Sequence, residues 1–279
     1  MNAPLLSEVT RKVRQIPSLS IVVAELLVSL NNEDSDTATL VAKIAQDQGL
    51  AARVLRVANS PFYGLNSRVS AVSEAVVVLG FHAVRSLALA AGIINVFPPG
   101  GTTKFDRLAF WRHAVGTGVC ARVVAGHVDQ DPEAAFTAGL LHDVGKLALH
   151  VYFADVFEAV LARAAAGDLT IVEAERELLG YDHAAIGHEI ARNWHFPPAI
   201  QLAIRNHHDP DTEPAPLADI VHVANALCIA LDIGCGGDHQ VPCISHAAWG
   251  RLGLGWDALG RSLHEIERQN AGVNLLLAD

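Results

Sequence analysis

Apolar residues recur every three to four positions along most of this chain, and no stretch alternates with period two for long enough to build a sheet. In TATLVAKIAQDQ, Leu40, Val41, Ile44 and Ala45 fall on one stripe, and in SIVVAELLVSL the same is true of Ile21, Val22, Leu26 and Leu27. The one strand-like run, VVVLG at 76–80, lies within SEAVVVLG and reads as helix in that context. Aromatic residues supply only 6% of the chain, so the apolar load falls on Ala, Leu and Val. Ala and Leu lose little on entering a helix and allow close helix packing. The prediction is an all-α fold.

Breaks in the periodicity divide the chain. NNEDSD at 31–36 ends one helix, and Ser35 or Asp36 can cap the next. Asn59-Ser60-Pro61 reads as a helix stop. Pro98-Pro99-Gly100-Gly101 is the strongest punctuation, so a helical N-terminal lobe is placed at residues 1–100 and a second helical lobe at 101–279. In the second lobe Asp131 caps a helix that has Pro132 at its first position and runs on through LLHDVGKLALHVYF. A glycine-rich break at 234–237 precedes a terminal helical pair.

The formal charge of −10 and the lack of a clustered basic face, beyond Arg11, Lys12 and Arg14, argue against nucleic acid as the main partner. The start, MNAPLLSEVTRKVRQ, has no signal-peptide pattern, and the apolar run at 87–97 is too short to span a bilayer. A cytoplasmic protein without a membrane partner is expected. Cys228, Cys235 and Cys243 are spaced seven and eight apart, which fits no usual zinc pattern, so they and Cys120 are expected as reduced thiols.

Fourteen histidines are many for this length, and their spacing singles out a few. His142 and Asp143 are consecutive on an expected helix, about 100° apart around its axis, and can reach one ion. Imidazole and carboxylate suit Fe, Mn, Zn or Mg. Lys146 stands one turn after His142, placed either to pair with Asp143 or to meet a phosphate oxygen. His113 lies mid-helix in an apolar segment, His183 opens a further helix, and His207–His208 end another. Four helices therefore each offer a ligand type, as a metal site in a bundle requires. The plainer alternative for the pair is that Asp143 only bonds a neighbouring histidine or caps a loop. His127, His150, His195, His239 and His246 are expected at the surface.

The order His113, His142-Asp143-Val-Gly-Lys146, His183-xxx-Gly187, His207-His208 resembles the HD phosphohydrolase superfamily. IPSLSIVVAELL, DQGLAARVLRVANSPFYG, VSEAVVVLGFHAVRSLAL and NWHFPPAIQLAIRNHH narrow the resemblance to the HDOD family, bacterial signalling relatives of HD domains, over residues 14–230. It implies an HD-like helical core in the second lobe. It also implies a regulatory module that relays signals through protein partners, with a His/Asp pocket that takes a divalent metal. The ligands would be His113, His142, Asp143, His183, His207 and His208. The alternative it carries is a metal-dependent phosphohydrolase acting on a nucleotide, with Lys146 as the candidate catalytic residue. Two departures weigh against that alternative. Asn225 stands where HD hydrolases carry a late aspartate, with Asp219 nearly two turns earlier. Asp209-Pro210-Asp211 stands where HD-GYP relatives carry their own motif, which removes support for cyclic-di-GMP hydrolysis.

Overall fold

The computed structural model describes residues 4–29, 37–59, 68–94, 96–98, 105–237 and 240–270. Among these residues there are sixteen α-helices and no strand. The first six are α1 (Leu6–Val13), α2 (Ile21–Val28), α3 (Thr37–Gln46), α4 (Gln48–Ala58), α5 (Val72–Leu79) and α6 (Phe81–Ile94). Next come α7 (Arg107–His127), α8 (Pro132–Leu141), α9 (Val144–Tyr152), α10 (Ala154–Gly167) and α11 (Ile171–Leu179). The last five are α12 (His183–Asn193), α13 (Pro198–Asn206), α14 (Pro216–Ala230), α15 (His246–Leu252) and α16 (Trp256–Asn270).

Local chemistry accounts for several boundaries. Asp131 Oδ1 accepts from the Glu133 amide at 2.9 Å, and Pro132 opens α8. The Asn59 side chain binds the Leu55 carbonyl and both backbone groups of Val69, which ends α4 and ties it to the start of the next segment. VVVLG falls inside α5. Caps at Ser35 and Asp36, and all of the Pro98–Gly101 punctuation except Pro98, lie outside the described residues, and the division into lobes at residue 100 is kept as a proposal.

In the N-terminal half α6 is buried along ten of its residues and receives α2, α4 and α5. In the C-terminal half α7 is central. It is apolar almost all round, as a helix must be when neighbours cover every side. It packs against α8, α14 and α16. One apolar cluster runs from Val9 to Val221, with α6 against α8 and α1 against α12. A smaller cluster around Cys120, Val124, Ala224 and Ile266 lies beneath α16. No described helix is long and apolar enough to cross a membrane.

One expectation is corrected. LLHDVGKLALHVYF is not a continuous helix, because α8 ends at Leu141, α9 begins at Val144, and His142 and Asp143 form the turn between them. The reason is packing, since α8 lies on α7 while α9 lies on α12, and the chain must change direction between the two partners. Both contacts depend on glycine. A Cβ at Gly139 would meet the Thr117 carbonyl at 2.8 Å and Gly118 Cα at 2.9 Å, and a Cβ at Gly145 would overlap the His183 carbonyl and approach the Gly187 amide at 2.9 Å. His150, expected at the surface, is a second correction. It is 3% exposed and packs 4.9 Å from the Phe105 ring, because α9 is covered on both sides. His195 and His246 are exposed, His127 is half-buried, and His239 is outside the described residues.

The glycine crossing yields a differential prediction. Gly145→Ala meets backbone, which cannot move away cheaply, and should cost about 3 kcal/mol or more. Gly126→Ala, on exposed α7 surface with nothing within 4 Å of its Cβ, should instead stabilise by about 0.5–1 kcal/mol. Urea unfolding of the two variants checks this, and equal midpoints would contradict the crossing.

Candidate metal centre

The ends of three helices and the middle of a fourth deliver the histidines. His142 is the C-cap of α8 and His207 the C-cap of α13, His183 is the first residue of α12, and His113 lies inside α7. Asp143 precedes the first residue of α9 but makes no capping bond; its carboxylate turns inward instead. Every candidate ligand comes together around it. His183 Nε2 is 2.9 Å and His207 Nε2 3.6 Å from Oδ1. Lys146 Nζ is 2.9 Å, His142 Nε2 3.4 Å and His113 Nε2 3.7 Å from Oδ2. His208 Nε2 stands 2.9 Å from His183 Nε2. His208 is half-buried, whereas none of the others is more than 2% exposed.

Helix-end physics orients the rings. The last carbonyls of a helix lack an intrahelical donor. His142 Nδ1 donates to the Gly139 carbonyl at 2.6 Å, and His207 Nδ1 to the Ile204 carbonyl at 2.8 Å, each three residues back. A carbonyl can only accept, so Nδ1 carries the proton and Nε2 keeps its lone pair. Both of those Nε2 atoms, and Asp143 Oδ1, are buried without a hydrogen-bond partner. His183 is held differently. The Glu175 carboxylate takes its backbone amide at 2.8 Å and its Nδ1 at 2.6 Å. Behind His113 lies the Cys228 sulfur, 3.5 Å from Nδ1.

The lone pairs of His142 and His207 converge on a carboxylate, as the donors of a cation site do. Burial favours the neutral form of Asp143, yet His142, Lys146 and His183 outweigh it and hold its carboxyl well below the usual range. Burial pushes His142 and His208 well down and His207 down. Burial opposes the charge on His183 too, but Glu175 and Asp143 overcome it and raise this imidazole to about 10. The donor set fits a divalent metal. Ligand atoms fall into two groups that share Asp143: with His183, His207 and His208 on one side, and with His113 and His142 on the other. Within each group the atoms lie within 4.8 Å of one another.

Three features of the centre are invisible in the spacing of the histidines. Glu175 is fully buried on α11, on the apolar stripe shared with Ile171 and Ala174, and a carboxylate at a core position of an amphipathic helix is the signal that could have found it. On α14, His222 donates to the His207 carbonyl at 2.7 Å and Cys228 reaches His113, which places Asn225 between them on the same face, its Oδ1 buried and unpartnered. Asp219, by contrast, is taken by Arg251 at 2.7 and 2.8 Å and is not in the cluster. Third, the glycine-rich break closes over the centre. A Cβ on buried Gly236 would stand 3.0 Å from Asp143 Oδ2 and from His113 Cδ2, and 3.4 Å from Lys146 Nζ. The Cys235 amide pins this loop to the Ala109 carbonyl of α7 at 3.0 Å. A cavity of about 620 Å³, lined by Phe105, Asp106, Leu161, Asp168, Cys235 and Gln240, lies against the same loop and includes none of the clustered histidines.

Glu175→Gln should lower the affinity for Mn²⁺ by about 10–100-fold, because the carboxylate fixes the tautomer and basicity of His183. Calorimetric titration of the two proteins checks this, and an unchanged affinity would contradict it.

Comparison with known proteins agrees with the geometry. Residues 16–210 match the HDOD domain. The crystal structure of an HDOD domain protein of unknown function from Geobacter sulfurreducens is similar at TM-score 0.84 and 26% identity, covering 96% of this chain and 97% of that one. That of a candidate phosphohydrolase from Shewanella amazonensis is similar at 0.79 and 29%, covering 97% and 98%. An uncharacterized protein of Treponema pallidum is 28% identical over 242 residues, 82% of this chain and 45% of that protein. Ribonuclease Y of Thermus thermophilus is 29% identical over 151 residues, 51% of this chain and 21% of the enzyme. The chain thus spans less than half the length of these two sequence relatives. The match across residues 16–210, on an all-helical fold that gathers His142, Asp143 and their partner histidines, makes this chain a member of the HDOD family.

Proposed function

We propose that this chain is a regulatory HDOD module that binds a divalent metal at the Asp143 centre and relays its state through protein partners without turning over a nucleotide. The observation that carries this reading is the closure of the centre. Asp143 is 1% and Lys146 2% exposed, and a Cβ added to Gly236 would stand 3.0 Å from Asp143 Oδ2 and 3.4 Å from Lys146 Nζ. The Lys146 ammonium is buried and held by Asp143 Oδ2 at 2.9 Å, which leaves it poorly placed to meet a substrate phosphate. The neutral Asn225 supports the same reading, because a hydrolytic centre holding highly charged substrates gains from another carboxylate on the metal. Partner contact is supported by α5, which carries Val77 and Val78 outward at 85% and 51% exposure.

The second reading, a metal-dependent phosphohydrolase, is favoured by likeness to the candidate phosphohydrolase of Shewanella amazonensis. In that reading a bound divalent ion supplies Lewis acidity toward a phosphoryl oxygen. His113, His142, Asp143, His183, His207 and His208 would hold it. Lys146 would then have to leave Asp143 to meet the phosphate, and the 234–237 loop would have to lift.

Protein purified without chelator and loaded with Mn²⁺ should contain metal yet hydrolyse a nucleotide panel no faster than His142→Ala. Stoichiometric metal together with turnover that His142→Ala abolishes would establish the hydrolase instead.

A further inference from the structure

We propose that the centre takes one divalent ion per chain, on the Oδ1 side of Asp143, and that the Lys146 ammonium stands in for a second ion on the Oδ2 side. The inference rests on the metal-binding reading above and divides that site into two unequal halves.

The Oδ1 half has the dimensions of a coordination shell. With bonds of about 2.1 Å, neighbouring ligand atoms lie about 3.0 Å apart at right angles and about 3.4 Å apart in a tetrahedron. Here His183 Nε2 is 2.9 Å from Asp143 Oδ1 and 2.9 Å from His208 Nε2, and His207 Nε2 is 3.6 Å from Oδ1. His207 Nε2 is buried with no hydrogen-bond partner and faces Oδ1, whereas the likewise unpartnered His142 Nε2 faces the oxygen that Lys146 already holds. Glu175 stands behind His183 and adds a negative charge next to the ion.

The Oδ2 half already contains its cation. Lys146 Nζ lies 2.9 Å from Oδ2, and the side chain is only 2% exposed. An ion placed between His113, His142 and Oδ2 would have to displace that ammonium or share the carboxylate oxygen with it. Displacement leaves a lysine buried without its carboxylate, which is costly. Sharing sets a dication beside an ammonium in a medium of low dielectric. Among the described residues the possible ligands grouped on this side are His113, His142 and Asp143, with no second carboxylate, and the group behind His113 is the Cys228 sulfur. Asp143 and Glu175 therefore balance one dication apart from the single charge of Lys146. Among the described residues, Asp182 is paired with Arg176 and Asp219 with Arg251, which leaves neither for a second dication.

The test uses the full chain, stripped with chelator, dialysed and titrated with Mn²⁺. Bound metal is counted by elemental analysis and its environment read by electron paramagnetic resonance. Wild type should bind one Mn²⁺ per chain with the spectrum of an isolated ion. His207→Ala and His208→Ala, the latter at a half-buried position, should weaken binding by about 10-fold or more, whereas His113→Ala should stay within about threefold of wild type. Lys146→Met, which keeps the length of the side chain and removes its charge, should admit a second equivalent. Two ions per wild-type chain with an exchange-coupled spectrum would overturn the inference and leave the metal reading standing. The same holds if His113→Ala abolishes binding while His207→Ala retains it. Folded wild-type protein that binds no Mn²⁺ would overturn the metal reading itself.

Discussion

A carboxylate buried among imidazoles cannot stay there uncompensated. Removing the charge of Asp143 from water costs several kcal/mol even after relaxation. The structure meets that cost with a lysine from the next turn and with histidines from four separate elements. Lys146, His113, His142, His183 and His207 are themselves buried, so none of these can be moved or removed without exposing the others to the same penalty. The positions of α7, α9, α12 and α13 around one point are therefore an electrostatic requirement as much as a packing result. The close glycine crossings, α8 on α7 and α9 on α12, bring the helices near enough for those short contacts.

The same arrangement separates holding an ion from doing chemistry with it. Helix-end carbonyls at Gly139 and Ile204 fix the proton on Nδ1 of two histidines, which preorganises their outer nitrogens as ligands. Preorganisation of this kind serves binding whether or not a reaction follows. Catalysis needs more: a place for the substrate beside the ion and a free cation for its phosphate. Here a Cβ on Gly236 would stand 3.0 Å from Asp143 Oδ2, and the same oxygen holds the Lys146 ammonium at 2.9 Å. In the regulatory reading proposed above, the loop at 234–237, which lies over Asp143 and Lys146, is the element through which occupancy would be felt.

Much of the fold was legible from periodicity, because α-helices bury one stripe at a time and Leu40, Val41, Ile44 and Ala45 declare theirs openly. Asp131-Pro132 marked the start of α8 for a purely local reason. The turn at His142–Asp143 was not legible, since nothing local stops a helix there; it turns because α8 and α9 have different neighbours. Spacing together with family resemblance pointed to the histidines that meet at Asp143, but it could not show which oxygen each one faces. Glu175, His222 and Cys228 went unread because their roles come from the tertiary placement of α11 and α14. His150 was misplaced for the same reason, its burial following from the cover over α9 and not from its own polarity.

The central claim is that the buried charge of Asp143 is organised to receive a metal cation. Anomalous diffraction from crystals soaked in Mn²⁺ addresses it most directly. The account predicts one peak bounded by Asp143, His183, His207 and His208, with Lys146 still against the opposite carboxylate oxygen. A map without a peak at the centre, or with its only peak between His113 and His142, would contradict it.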